Sequence, residues 1–135
     1  MQDDRDQVDQ LIVDFFAAFD NRGGRMPPQA EMVRLFADKA IVARHQGGTC
    51  TLYSPPEFAA PRVALLNGGA LVDFHEWEET SSTEFAGAIA ARTSRYAKTG
   101  LFNGAPYGGK GTKFFQLAKF LTGWRIVALS WIDDA

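Results

Sequence analysis

The sequence predicts an α+β domain over residues 1–135, in which a strongly curved, mixed or antiparallel sheet has its concave face covered by three helices from the N-terminal half. Three observations carry that expectation. Val8, Leu11, Ile12, Phe15, Phe16 and Phe19 form one apolar stripe at helical spacing. Ser54-Pro55-Pro56-Glu57 has the form of a capped helix start. Beyond about residue 70 the helical period disappears and the chain divides into four extended runs.

The first helix is expected over about residues 4–21, with Asp3, Asp4, Asp6 and Asp9 at the positive end of its dipole. Asn21 to Gly24 ends it. Pro27 and Pro28 start a short second helix, whose buried side is Met32, Val33 and Phe36. Ala40 to Gln46 and Thr49 to Tyr53 flank Gly47-Gly48 as a hairpin. In the third helix Ser54 is the N-cap, Pro55 the first residue and Glu57 the reciprocal cap. It runs to about Leu66, stops at Asn67-Gly68-Gly69, and should bend or break at Pro61. The extended runs cover about residues 70–82, 86–99, 110–121 and 124–133. Breaks are expected at Ser81 to Gly87, in the glycine-rich stretch Gly100 to Gly111, and at Thr122-Gly123. Strands of about 12 residues span roughly 40 Å, so in a domain this small they must twist and curl.

Composition narrows the function classes. Hydrophobic residues make up 46% and charged residues 22% of 135, values of a folded globular chain. Fourteen basic against sixteen acidic residues give a net charge of −2, which argues against nucleic acid or an anionic membrane as partner. No apolar run reaches the length of a membrane span, and the acidic start is unlike a signal peptide, so a cytoplasmic location is expected. Cys50 is the single cysteine and reads as a packed thiol. The five glycines of Gly100 to Gly111 join two strands and open no helix, so no nucleotide fingerprint applies. With two histidines and no ligand-spaced cluster, neither metal nor cofactor is expected.

The order helix–helix–hairpin–helix–four long strands resembles the nuclear transport factor 2-like superfamily, which includes SnoaL-type cyclases and scytalone dehydratase. Gly111-Thr-Lys-Phe-Phe-Gln-Leu, Gly123-Trp-Arg-Ile and Ser130-Trp131-Ile-Asp133-Asp134 carry the resemblance. Glu57-Phe-Ala-Ala-Pro-Arg62 and Asp73-Phe-His-Glu-Trp-Glu78 are similar to motifs of bacterial members without an assigned role. The resemblance spans nearly the whole chain and implies a cystatin-like α+β roll. It does not select a function, because this superfamily hosts enzymes, binding modules and assembly domains.

A two-residue turn at Thr122-Gly123 would pair Phe114 with Trp131 and Gln116 with Leu129. Both faces of that hairpin are then substantially apolar, which points to a homodimer packed through the outer sheet face. A turn centred near Glu84 would pair Glu76 with Arg92, Phe74 with Ser94 and Val72 with Tyr96, leaving Asp73, His75 and Trp77 outward. The expected cup is lined by Phe19, Tyr53, Phe74, Arg92, Tyr96, Phe114, Gln116 and Trp131. Lys98, Lys110, Lys113 and Lys119 read as a solvated edge.

Within that cup Glu76 and Arg92 form either a functional acid–base pair or an ordinary cross-strand ion pair. Glu76 or His45 is the candidate general base, the latter because an unperturbed imidazole titrates at about 6.5. Tyr53, Tyr96 and Gln116 are candidate donors to a ligand oxygen, or else are satisfied within the core. The leading expectation is binding of a small, largely apolar molecule. Proton-transfer catalysis of the cyclase, dehydratase or isomerase type, and a dimerisation module without ligand, remain beside it.

Overall fold

A computed structural model describes residues 3–135. Asp3 accepts the Asp6 N–H at 2.8 Å and caps the first helix, α1 (Asp4–Ala17), which buries Val8, Leu11, Ile12, Phe15 and Phe16. A 3₁₀ turn (Arg22–Gly24) and a short helix α2 (Gln29–Val33) follow. Phe36 is buried but opens strand β1 (Phe36–Gln46) rather than closing α2. Strand β2 (Thr49–Tyr53) completes the hairpin at Gly47-Gly48. Helix α3 (Pro55–Asn67) carries the full capping box between Ser54 and Glu57. It runs unbroken through Pro61, which is exposed, as is Glu57, whose carbonyl the proline leaves without a donor.

Strands β3 (Leu71–Ala86), β4 (Ile89–Phe102), β5 (Ala105–Phe120) and β6 (Gly123–Asp133) then form a meander. The six-stranded sheet has the order β2-β1-β6-β5-β4-β3, and β1 runs parallel to β6. Helix α1 packs on β3 and β6, and α3 lies on β1, β2 and β3. Phe15 is the hub between the layers. Its ring meets Phe115 at 5.2 Å, Phe19 at 5.1 Å and Phe36 at 6.3 Å, all edge to face.

Three expected breaks are displaced. The segment Gly100 to Gly111 is not a loop, since β4 and β5 extend through it to a tight turn at Asn103-Gly104, both at positive φ. Gly100, Gly108 and Gly111 make room for close neighbours. A Cβ at Gly100 would press on Phe74, and one at Gly111 would collide with the Tyr96 hydroxyl and lie 2.5 Å from the Ile132 carbonyl oxygen.

The β3–β4 turn lies at Gly87-Ala88 instead of near Glu84, because Gly87 supplies the positive φ that Ser81 to Phe85 do not. Arg92 therefore pairs with Thr83, Glu76 with Lys98 and Glu78 with Tyr96, and the expected pairs Glu76–Arg92, Phe74–Ser94 and Val72–Tyr96 do not form. Bulges between Val72 and His75 and between Glu78 and Thr80 shift the ladder twice, the first at Asp73 with φ 49°. The net slip keeps side-chain parity, so Phe74, Glu76, Arg92 and Tyr96 still face the helices.

The β5–β6 turn is Leu121-Thr122, and a bulge at Val127 changes the register along β6. That extra residue puts Leu129 and Trp131 on the inner face together with Lys113, Phe115 and Leu117. Phe114 and Gln116 alternate with the buried Phe115 and Leu117 and so point outward, opposite to expectation, and Phe114 is 53% exposed.

The ends of α1, α3 and β3 meet on one side chain. The buried Asn21 carboxamide donates to the carbonyls of Leu66 (2.9 Å) and Leu71 (2.7 Å) and accepts the Phe74 N–H (2.8 Å). Asn21→Leu leaves those three groups without a partner and is expected to cost about 3 kcal/mol or more in urea denaturation; a loss under about 1 kcal/mol would contradict this role. Gly111→Ala is expected to lower stability by about 1–3 kcal/mol, because Tyr96 or β6 must move to admit the methyl group.

Candidate functional site

Between α3 and the inner face of the sheet lies a cavity of about 280 Å³. Its apolar wall comes from every layer, with Phe19 at the end of α1, Phe58 and Leu66 of α3, Leu71 and Phe74 of β3, Tyr107 of β5 and Trp131 of β6. Tyr53, at the end of β2, closes one side. Phe58 meets Trp131 edge to face at 5.4 Å and Phe19 at 6.1 Å, so the wall is continuous with the core.

Alternation along the strands adds a set of charges. On β1 the inner positions Ala40 and Val42 are followed by Arg44, which pairs across the ladder with Trp131. On β3, β4 and β5 the inner row brings Glu76, Lys98 and Lys113 to the cavity, and Asp133 ends the inner row of β6. Lys113 Nζ is 3.4 Å from Glu76 Oε1 and 3.8 Å from the centre of the Tyr96 ring. Glu76 Oε1 is buried and has no hydrogen bond. Lys98 Nζ donates to Asp133 Oδ2 at 3.0 Å, the Tyr96 hydroxyl donates to Asp133 Oδ1, and Arg44 stands 3.8 Å from Oδ2.

These positions shift proton affinities. Burial pushes the Lys113 ammonium below the usual lysine range, only partly offset by Glu76 and Asp133. Burial alone would raise the Asp133 carboxyl, but the Tyr96 hydroxyl and Lys98 outweigh it and hold the group below the ordinary carboxylate range. The Tyr96 phenol is driven far above its usual value, first by burial and then by its bond to Asp133.

Five of the expected site residues line this cavity: Phe19, Tyr53, Phe74, Glu76 and Trp131. Tyr96 lies beneath it, its hydroxyl held by Asp133. Arg92 is on the inner face but outside the cavity wall, spent on Glu78 (2.5 and 3.1 Å), Asp9 of α1 (2.6 Å) and Thr83 (3.2 Å). His45 is exposed on the outer side of β1 beside Cys50, and Gln116 and Phe114 are on the outer sheet face; none of the three lines the cavity. Cys50 is exposed rather than packed. The sequence reading missed Arg44, Arg62, Lys98, Lys113 and Asp133. Lys113 sat in view, alternating with Phe115 and Leu117, yet was assigned to a solvated edge; its side chain is 6% exposed. Arg62 and Asp133 belong to segments that carried the resemblance.

Lys113→Met strands the Glu76 carboxylate in an apolar wall and is expected to cost about 3–5 kcal/mol, most of which the double variant Lys113→Met/Glu76→Leu recovers. Equal losses in the single and double variants would show that the two charges are not coupled. Because the folded Asp133 carboxyl titrates below its unfolded value, its contribution is complete above about pH 4 and disappears as pH falls through the folded value. Asp133→Asn should therefore flatten the acid limb of a urea-midpoint profile while leaving its shape near neutral pH unchanged.

Comparison with family models and with curated proteins gives no match. Solved structures do match over almost the full chain. A nuclear transport factor 2 (NTF2-like) superfamily protein from Salmonella enterica serovar Typhimurium superposes with a TM-score of 0.78 at 15% identity, covering 97% of this chain and 91% of that one. A hexachlorocyclohexane dehydrochlorinase, LinA-type3, from Novosphingobium barchaimii gives 0.75 at 15% identity, covering 97% and 86%. An NTF2-like protein with a cystatin-like fold from Novosphingobium aromaticivorans gives 0.73 at 15% identity, covering 96% and 81%. Identities this low speak to fold and not to activity. Three helices on one face of a six-stranded mixed sheet make this the α+β, cystatin-like fold of the nuclear transport factor 2-like proteins.

Proposed function

We propose that the cavity is a binding site for a small, largely apolar molecule. The observation that carries this is an aromatic wall left open around about 280 Å³, where Phe19 just beyond α1 and five aromatic side chains of β2, α3, β3, β5 and β6 stop short of filling the space. Such a wall supplies apolar area, and the charges of its floor supply orientation. Titration with the neutral probe 2-naphthamide should quench tryptophan fluorescence through Trp131. Leu66→Trp, which fills the space, should abolish the response while the protein stays folded by circular dichroism. An unchanged response in that variant would place the probe elsewhere.

Proton transfer in the same cavity is the second reading. It is favoured by Glu76, whose Oε1 is buried without a hydrogen bond beside the Lys113 ammonium. Glu76 lines the cavity, and its carboxylate would take the proton of a bound carbon acid, with Lys113 stabilising the oxygen that becomes negative. One neighbour in fold, the LinA-type3 protein, is named a hexachlorocyclohexane dehydrochlorinase. Deuterium exchange into 2-acetylnaphthalene, followed by NMR, should be accelerated by the protein and lost in Glu76→Gln. Exchange at the same rate in that variant rules Glu76 out as the base.

A second copy of this chain is the proposed macromolecular partner, docking on the outer sheet face. Trp77, Phe114, Ile41 and Ile132 are exposed there, an apolar set that a solvated face does not require. Sedimentation equilibrium should give a dimer mass, and Phe114→Glu/Trp77→Glu should shift it to a monomer. A monomer in the unaltered protein at tens of micromolar would reject the pairing.

A further inference from the structure

Four cationic side chains line the cavity, Arg44, Arg62, Lys98 and Lys113, against two carboxylates, Glu76 and Asp133. The partners are unevenly shared. Glu76 takes Lys113, and Asp133 takes Lys98 at 3.0 Å, with Arg44 as its more distant neighbour at 3.8 Å. Arg62 has no acidic partner at all among the described residues. Its guanidinium lies against aromatic faces, 4.4 Å from the Phe58 ring centre, 5.0 Å from Trp131 and 6.0 Å from Tyr53. One nitrogen donates to the Phe58 carbonyl at 3.1 Å, which leaves most of its five N–H groups unused. Aromatic stacking keeps the fork in the wall without neutralising it.

We infer that the ligand of this cavity is an apolar molecule bearing a carboxylate, which the Arg62 guanidinium receives with Arg44 beside it. The inference rests on the cavity being a ligand site and adds the charge its ligand must carry. A planar two-oxygen anion matches the Arg62 fork in shape, and it cancels a local surplus that the protein leaves open. Burial, and then repulsion from Arg44, weaken the hold of Arg62 on its own proton, and the more distant Tyr53, Glu76 and Asp133 offset this only in part. Lys113 and Lys98 do not compete for this role, because each already faces its own carboxylate.

The test compares two probes of nearly equal shape, 2-naphthoate and 2-naphthamide, by calorimetry at neutral pH and moderate salt. The naphthoate should bind at least about tenfold more tightly, with an advantage that falls as salt rises. Arg62→Met keeps much of the aliphatic stem against Phe58 and Trp131 and should erase that advantage, so that the two probes bind alike. The comparison in the unaltered protein needs no variant, so it stands even if Arg62→Met fails to fold. Equal affinity for the two probes overturns the charge assignment and leaves the apolar site intact. Binding of neither probe overturns the cavity reading and this inference with it. A naphthoate advantage that survives in Arg62→Met reassigns the anion to the lysines and overturns the role given to Arg62.

Discussion

Four residues of the cavity wall depend on one carboxamide. Asn21 binds the carbonyls of Leu66 and Leu71 and the N–H of Phe74, its own N–H donates to the Phe74 carbonyl, and Phe19 lies two residues before it. Phe19, Leu66, Leu71 and Phe74 all line the cavity. Helix α3 and strand β3 leave backbone groups to be paired where one ends and the other begins, and Asn21 reaches them from just beyond α1. A single buried amide with two donors and an acceptor satisfies them together, and so holds the helical layer at a set height above the sheet. An apolar residue there would gain hydrophobic area yet leave three buried polar groups unpaired, which costs more than it gains.

The cavity itself is a compromise between two costs. Packed protein interiors leave few voids, and filling this one would add dispersion energy. Charges in an apolar wall must also be paired or they lower stability. The protein pairs Lys113 with Glu76 and Lys98 with Asp133, rests Lys113 and Arg62 on aromatic faces, and keeps the second Asp133 oxygen on the Tyr96 hydroxyl. Arg62, most of whose fork stays without a partner, and Glu76 both line the same space. Polar groups left short of partners around an open volume are the arrangement a ligand completes. The network of Arg92 with Glu78, Asp9 and Thr83, by contrast, is closed on itself and ties α1 to the sheet.

Local signals read well from the sequence. The stripe of α1, the capping box of α3 and the glycine turn of the first hairpin are short-range patterns, and each stands where it was expected. The faces of β3 and β4 also came out as expected, although the turn between them was misplaced, because two bulges and a shifted turn together preserved parity. Gln116 and Phe114 show the opposite case. Strand β5 keeps one register with β4, so Lys113 and Phe115 share the face of Arg92 and Tyr96, and the extra residue in β6 put Leu129 and Trp131 on that face instead of on the face of Phe114 and Gln116. No residue type marks Val127 as a bulge, so the reversal had no sequence signature.

By itself the sequence determined the fold class, the order of the elements and much of the aromatic wall, because periodicity, caps and turns act over a few residues. Only the tertiary structure decided which charges meet. Arg44, Arg62, Lys98, Lys113 and Asp133 lie on five elements spread over most of the chain. Their encounter depends on ladder register, on bulges and on the height of α3 over the sheet, and each of those is set by long-range packing that leaves no periodic trace in the chain.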